Sequence, residues 1–181
     1  MDPLQQINFV THEAKEKFCS LSPAQLNWKP DPKKWSIAQC LDHIMVSNKT
    51  YYPTFEKLLN HSYRLPLLQR LNPFKKLFGP MMVKSLGPQP TKKFTAPKIF
   101  EPSSSDLPGS MVSNFVQHQT ILGNYVERLN QLDIKKEVIT SPVSGLISYS
   151  LEDAMRILSG HEQRHLNQAL DILHHPNFPQ S

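Results

Sequence analysis

Residues 150–173 read SLEDAMRILSGHEQRHLNQALDIL, and this stretch decides the fold. Leu151, Ala154, Met155, Leu158, Ala169 and Ile172 recur at three- and four-residue intervals, the period of an amphipathic helix. Ser150, with Asp153 three residues on, gives a start of the capping-box kind, in which side chains satisfy free backbone N–H groups. Pro176 closes the segment, because proline cannot continue a helical hydrogen-bond ladder. His161 and His165 fall on the apolar stripe. A helix turns about 100° per residue, so positions i and i+4 project from one side, a turn apart. Glu152, Asp153, Arg156, Glu162 and Arg164 fall off the stripe, and Glu162 is expected in a surface ion pair.

Three more long helices can be read outward from this one. The first spans about Pro3 to Leu21, with Leu4, Ile7, Val10, Ala14 and Phe18 on one stripe, and stops before Ser22-Pro23. A link over 22–34 follows and ends at Trp35. Ser36-Ile-Ala-Gln39 is a capping box that starts the second helix, on which Ile37, Leu41, Ile44, Tyr51, Phe55 and Leu58 repeat, with a kink expected at Pro53. The third begins between Asp106 and Ser110, carries Met111, Phe115, Leu122, Tyr125 and Leu129, and ends near Asp133. A loop with Ser141-Pro142 and Gly145 then leads into the fourth.

Residues 62–108 differ from the rest. They hold eight of the chain's sixteen prolines, with Gly79 and Gly87. Short helices are expected around Leu65–Leu77 and Met81–Leu86, and the remainder reads as an extended connection. The expected fold is therefore all-α: a four-helix bundle with a long crossover between the second and third helices.

At 181 residues the chain, 1–181, is expected to form a single domain with a real hydrophobic core. Cys19 and Cys40 are too few for a disulfide framework or a thiolate metal site, and both are expected to be buried free thiols. The polar N-terminus lacks the charge and apolar runs of a signal peptide. No apolar run approaches the roughly 20 residues that span a bilayer. A cytoplasmic protein without a membrane span is expected.

Two inward histidines are costly to bury without partners, and one shared metal ion partners both. A third imidazole from a neighbouring helix would make three ligands and leave an open position, the arrangement of catalytic metal sites. His43, at the edge of the second helix's stripe, is a candidate, and His118 in the third helix is its rival, although a partly exposed or hydrogen-bonded histidine is the simpler reading there. His12, His61, His174 and His175 have no pairing logic. The letters His161-Glu162-Gln-Arg-His165 also fit the zinc-protease H-E-x-x-H. That reading lacks a convincing downstream ligand, since only His174 and His175 follow. Gln39 and Gln168 lie on the histidine sides of their helices, as hydrogen-bonding partners of the ligands or as ordinary polar residues. Trp28 and Trp35 are expected to pack the link against the helices.

The combination Trp35-Ser36-Ile37-Ala38-Gln39, Leu41-Asp42-His43-Ile44, a proline-rich crossover, and Leu158-Ser-Gly-His161-Glu162-Gln-Arg-His165-Leu-Asn-Gln168 resembles the DinB-like superfamily, whose members include bacterial thiol transferases. The resemblance runs from about Leu4 to Leu173. It implies a four-helix bundle with a three-histidine site for one divalent metal ion, its ligands carried onto His43, His161 and His165. Zinc or nickel is the expected ion, although imidazole nitrogen also suits copper and iron. The chemistry expected of such a site is hydrolysis or thiol transfer on a small molecule, with a thiol as one candidate substrate.

A competing reading is a non-catalytic metal-binding or interaction protein, for example a homodimer. The excess behind the net charge of +5 is local: Arg64, Arg70, Lys75, Lys76, Lys84, Lys92, Lys93 and Lys98 lie between 62 and 100 with no Asp or Glu. Phe74, Phe78, Phe94 and Phe100 are interleaved with them. Such a segment can contact nucleic acid or an anionic surface. No nucleic-acid motif accompanies the charge, so a solvated connection with its aromatics tucked into the helices is expected instead.

Overall fold

Asp2, Ser22, Ser36 and Ser150 each end an extended residue with a side chain that accepts from free N–H groups, and a helix follows each of them. The computed structural model describes residues 2–70, 75–88 and 97–180. In chain order the elements are α1 (Pro3–Phe18), α2 (Pro23–Asn27), α3 (Ile37–Lys49), α4 (Tyr52–Leu59), α5 (Leu67–Arg70), α6 (Lys75–Leu86), a 3₁₀ turn (Lys98–Phe100), α7 (Met111–Leu129), β1 (Val138–Thr140), β2 (Ser148–Ser150) and α8 (Leu151–Leu173). The fold is predominantly helical, as expected.

The four long helices pack in a ring: α1 against α7, α7 against α3, α3 against α8, and α8 against α1. Their stripes, with Ile7, Val10, Ala14 and Phe18 on α1 and Leu41 and Ile44 on α3, fill the middle. The core forms two apolar clusters. One holds Phe18, Leu41, Phe115 and Leu166, the other Ile7, Phe55, Leu122 and Leu158. Between them in sequence, on three helices, lie buried Ser47 and Asn48, His118 and Gln119, and Glu162.

Several expectations need correction. The second helical segment is broken rather than kinked, into α3 and α4, with Pro53 in the first turn of α4. Proline has no N–H to give and its ring clashes with the carbonyl four residues back, so the ladder stops just before it. The crossover is less extended than its composition suggests, because α6 runs through Gly79-Pro80 and packs on α8 and β2. Gly79 permits this approach: a Cβ there would stand 2.1 Å from Asp153 Oδ2. The loop before α8 holds a small antiparallel pair, with Val138 opposite Ser150 and Thr140 opposite Ser148. Cys40 is buried as expected, and burial pushes its thiol pKa up. Cys19 is exposed, because α1 ends at Phe18 and Cys19, its C-cap, lies off the inward stripe.

In the basic segment, Phe74, Lys92, Lys93 and Phe94 lie outside the described residues, as do the side chains of Arg70, Lys75, Lys76 and Lys98. Phe100 is buried against the helices. No helix among the described residues is long and apolar enough to cross a membrane.

Candidate metal centre

α3 and α8 lie side by side, which brings His43 opposite the pair His161 and His165. His161 Nε2 stands 3.2 Å from His43 Nε2 and 3.2 Å from His165 Nε2. One ligand nitrogen from each ring lies within 4.8 Å of the others. Metal–nitrogen bonds of about 2.0–2.1 Å at tetrahedral angles place ligand nitrogens about 3.3–3.4 Å apart. The two closest separations match that spacing.

Hydrogen bonds on the far side of the rings decide which nitrogens carry lone pairs. His43 Nδ1 meets the carbonyl oxygen of Phe100. A carbonyl only accepts, so Nδ1 holds the hydrogen and Nε2 keeps its lone pair. His165 Nδ1 donates in the same way to Gln168 Oε1 at 3.1 Å, which leaves Nε2 free. His161 Nε2 thus faces two lone pairs and has at most one hydrogen for them. A cation at the common point satisfies all three nitrogens, and no assignment of protons does. The donor set therefore fits a divalent metal ion.

Burial keeps the rings neutral. It lowers the pKa of His43 to about 4, an effect the Phe100 carbonyl opposes, and that of His161 to about 3. His165 is held well below its ordinary value, again mainly by burial, with the neighbouring imidazoles adding to it. Neutral imidazole is the metal-binding form. Trp35 walls the site, with its ring centroid 4.6 Å from that of His43 and 5.6 Å from that of His165. Its role goes beyond packing the link. Trp28 does pack as expected, against Phe178 and His175.

The histidines face a cleft of about 970 Å³ whose lining includes Trp35, Met82, Leu86, Phe100 and Arg164. The far wall is the crossover, which three side chains of α3 tie down. Besides the His43–Phe100 bond, Asp42 Oδ2 accepts from Ser103 N–H at 2.6 Å, and Gln39 Nε2 donates to the Ser104 carbonyl at 3.0 Å. Of the two glutamines, Gln168 touches a candidate ligand. Gln39 is engaged with Ser104 and with the cap of its own helix. Neither the Asp42 clamp nor the carbonyl of Phe100 could be read from the sequence, because backbone partners carry no side-chain signature.

His118 belongs elsewhere. It is buried and lies 3.3 Å from Asn48 Nδ2, with Tyr52 Oη 3.2 Å from its Nδ1. Burial lowers its pKa to about 4. Glu162 is a second correction: it is fully buried rather than in a surface ion pair. Its Oε1 accepts from Asn48 Nδ2 at 2.7 Å, and burial raises its pKa to about 8. The spacing itself explains it: Glu162 stands four residues after Leu158, three before His165 and seven before Ala169, in the middle of the inward stripe, where Asn48 of α3 meets it.

The family model described as the DinB superfamily matches residues 6–169. No curated protein and no solved structure matches the chain.

Proposed function

The chain belongs to the DinB superfamily, and on that premise we propose that it is a metal-dependent enzyme, a hydrolase or thiol transferase, acting on a small molecule at a His43–His161–His165 site. The observation that carries this reading is the convergence of three Nε2 atoms, two of them forced into the lone-pair form by Phe100 and Gln168. We read the helical ring as a four-helix bundle, residues 1–181 as one cytoplasmic domain, and the ion as zinc or nickel.

When bound, such an ion supplies Lewis acidity that brings the pKa of a water or thiol toward neutrality. The protein's own contribution is orientation and dryness. Phe100 and Gln168 each hold one ring in a single tautomer and orientation. The Trp35 ring packs on His43 and His165 and covers that side of the site. Rings whose pKa values burial has lowered carry no competing proton at neutral pH.

The test is metal content and turnover. His43→Ala, His161→Ala and His165→Ala, each checked for folding, should each lose most of the bound ion. Zinc-, nickel- and manganese-loaded protein should then be assayed with thiols plus electrophiles and with esters and amides. Three variants that keep a full equivalent of tightly bound metal would overturn the ligand assignment. Full metal loading without turnover on the panel would leave a metal-binding protein in place of an enzyme.

A further inference from the structure

Arg164 lines the same cleft as the three histidines. Its guanidinium is half-buried, and the hydrogen-bond partner seen for it is the Ser85 carbonyl, at the long distance of 3.5 Å. The ion pairs among the described residues are Lys136 with Asp133 and Arg156 with Glu152, so no carboxylate neutralises Arg164 there. Among the described residues, most of its five N–H donors meet no acceptor. Its charge reaches the whole centre, for it opposes protonation of His43, His161 and His165 alike.

A guanidinium costs free energy to draw from water unless an anion meets it. Here the three candidate ligands are neutral, so a divalent ion would add positive charge beside Arg164 and supply no counter-charge. Asp31 and Asp171, the carboxylates that line the cleft, form no ion pair with Arg164, so its partner is an anion that enters the cleft. Guanidinium presents a planar fork that matches a carboxylate with two parallel bonds. On α8, Arg164 lies three residues from His161 and one from His165, so one small molecule can reach both the histidines and the fork.

We propose that Arg164 determines substrate class in this cleft: it binds the carboxylate of a small anionic molecule whose other end faces His43, His161 and His165. This rests on the metal-centre reading given above, which identifies the end that reacts.

The experiment compares two thiols that differ in that one group. Protein loaded with cobalt(II), its metal content measured, is titrated with mercaptoacetate and with 2-mercaptoethanol, and thiolate binding is followed by cobalt absorption. Mercaptoacetate should bind about tenfold or more tightly, the effect of one charge-assisted pair. Arg164→Gln, with its cobalt content intact, should narrow the difference about tenfold, leaving only what the carboxylate's own contact with cobalt supplies, and Arg164→Lys should narrow it less. Equal affinities in the unaltered protein would overturn the proposal without any variant, as would a preference that Arg164→Gln leaves undiminished. Failure of the unaltered protein to take up cobalt would overturn the metal-centre reading, and this proposal with it. One equivalent of cobalt with no preference between the thiols overturns this proposal alone.

Discussion

Gln168 stands one helical turn beyond His165 and accepts the hydrogen of its Nδ1 at 3.1 Å, while Gln39, one turn before His43, turns away to bond Ser104. Two glutamines, one three residues after a histidine and the other four before one, thus do different work. Gln168→Ala should weaken metal binding about 10- to 100-fold, the usual effect of removing a ligand's outer partner. Gln39→Ala should leave affinity near that of the unaltered protein and cost about 1–2 kcal/mol of stability through loss of the bonds to the Ser36 N–H and the Ser104 carbonyl. Competition with a chelator, alongside urea unfolding, checks both. Equal losses of affinity would show that Gln39 also supports the site.

Glu162→Ala should cost about 1–3 kcal/mol, because it strands the buried Asn48 amide. A surface ion pair would be worth less than about 1 kcal/mol. Glu162→Gln, which keeps the shape and the carbonyl oxygen facing Asn48, should cost less than Glu162→Ala. Denaturant midpoints of the two variants settle the comparison, and a loss for Glu162→Ala within the surface range would count against a buried role.

Burial holds the folded pKa of His118 near 4, below its ordinary value of 6.5. Between those values the unfolded chain binds more protons than the folded one, so stability falls as pH falls. The contribution is complete above about pH 6.5 and is lost as pH drops through about 4. It amounts to about 3 kcal/mol at most. His118→Gln should therefore show a shallower loss of stability between pH 7.5 and 5 in urea titrations. An unchanged slope would place the acid sensitivity in other groups.

Gly79→Ala sets two effects against each other. Alanine favours a helix over glycine by about 1 kcal/mol. The new methyl would meet Asp153, whose Oδ2 accepts from the Ser150 hydroxyl at 2.8 Å and is not free to swing away. Overpacking of this kind costs about 1–3 kcal/mol, so net destabilisation is expected. Adding Asp153→Ala should recover part of it. Thermal unfolding of both single variants and the double variant checks the coupling, and strictly additive effects would mean the methyl is accommodated elsewhere.

The sequence by itself determined the helices and the histidine pair. Periodicity places Ile7, Val10, Ala14 and Phe18 on one side of α1, capping residues mark the starts of α3 and α8, and i, i+4 spacing aims His161 and His165 together. These are local properties, set by backbone geometry within a turn or two. The family resemblance supplied His43, which periodicity left at the edge of its stripe beside the rival His118. Only the tertiary structure decided the rest. The spacing from Leu158 and Ala169 already puts Glu162 on the inward stripe of α8, but the Asn48 amide that meets it there comes from another helix, 114 residues away in sequence. The tautomers of His43 and His165 depend on a carbonyl 57 residues away and on one side-chain rotamer. The path of α6 over α8 depends on a glycine meeting an aspartate far along the chain. Each of these is a contact between segments distant in sequence, and such contacts are settled by packing and by the need to partner every buried polar group.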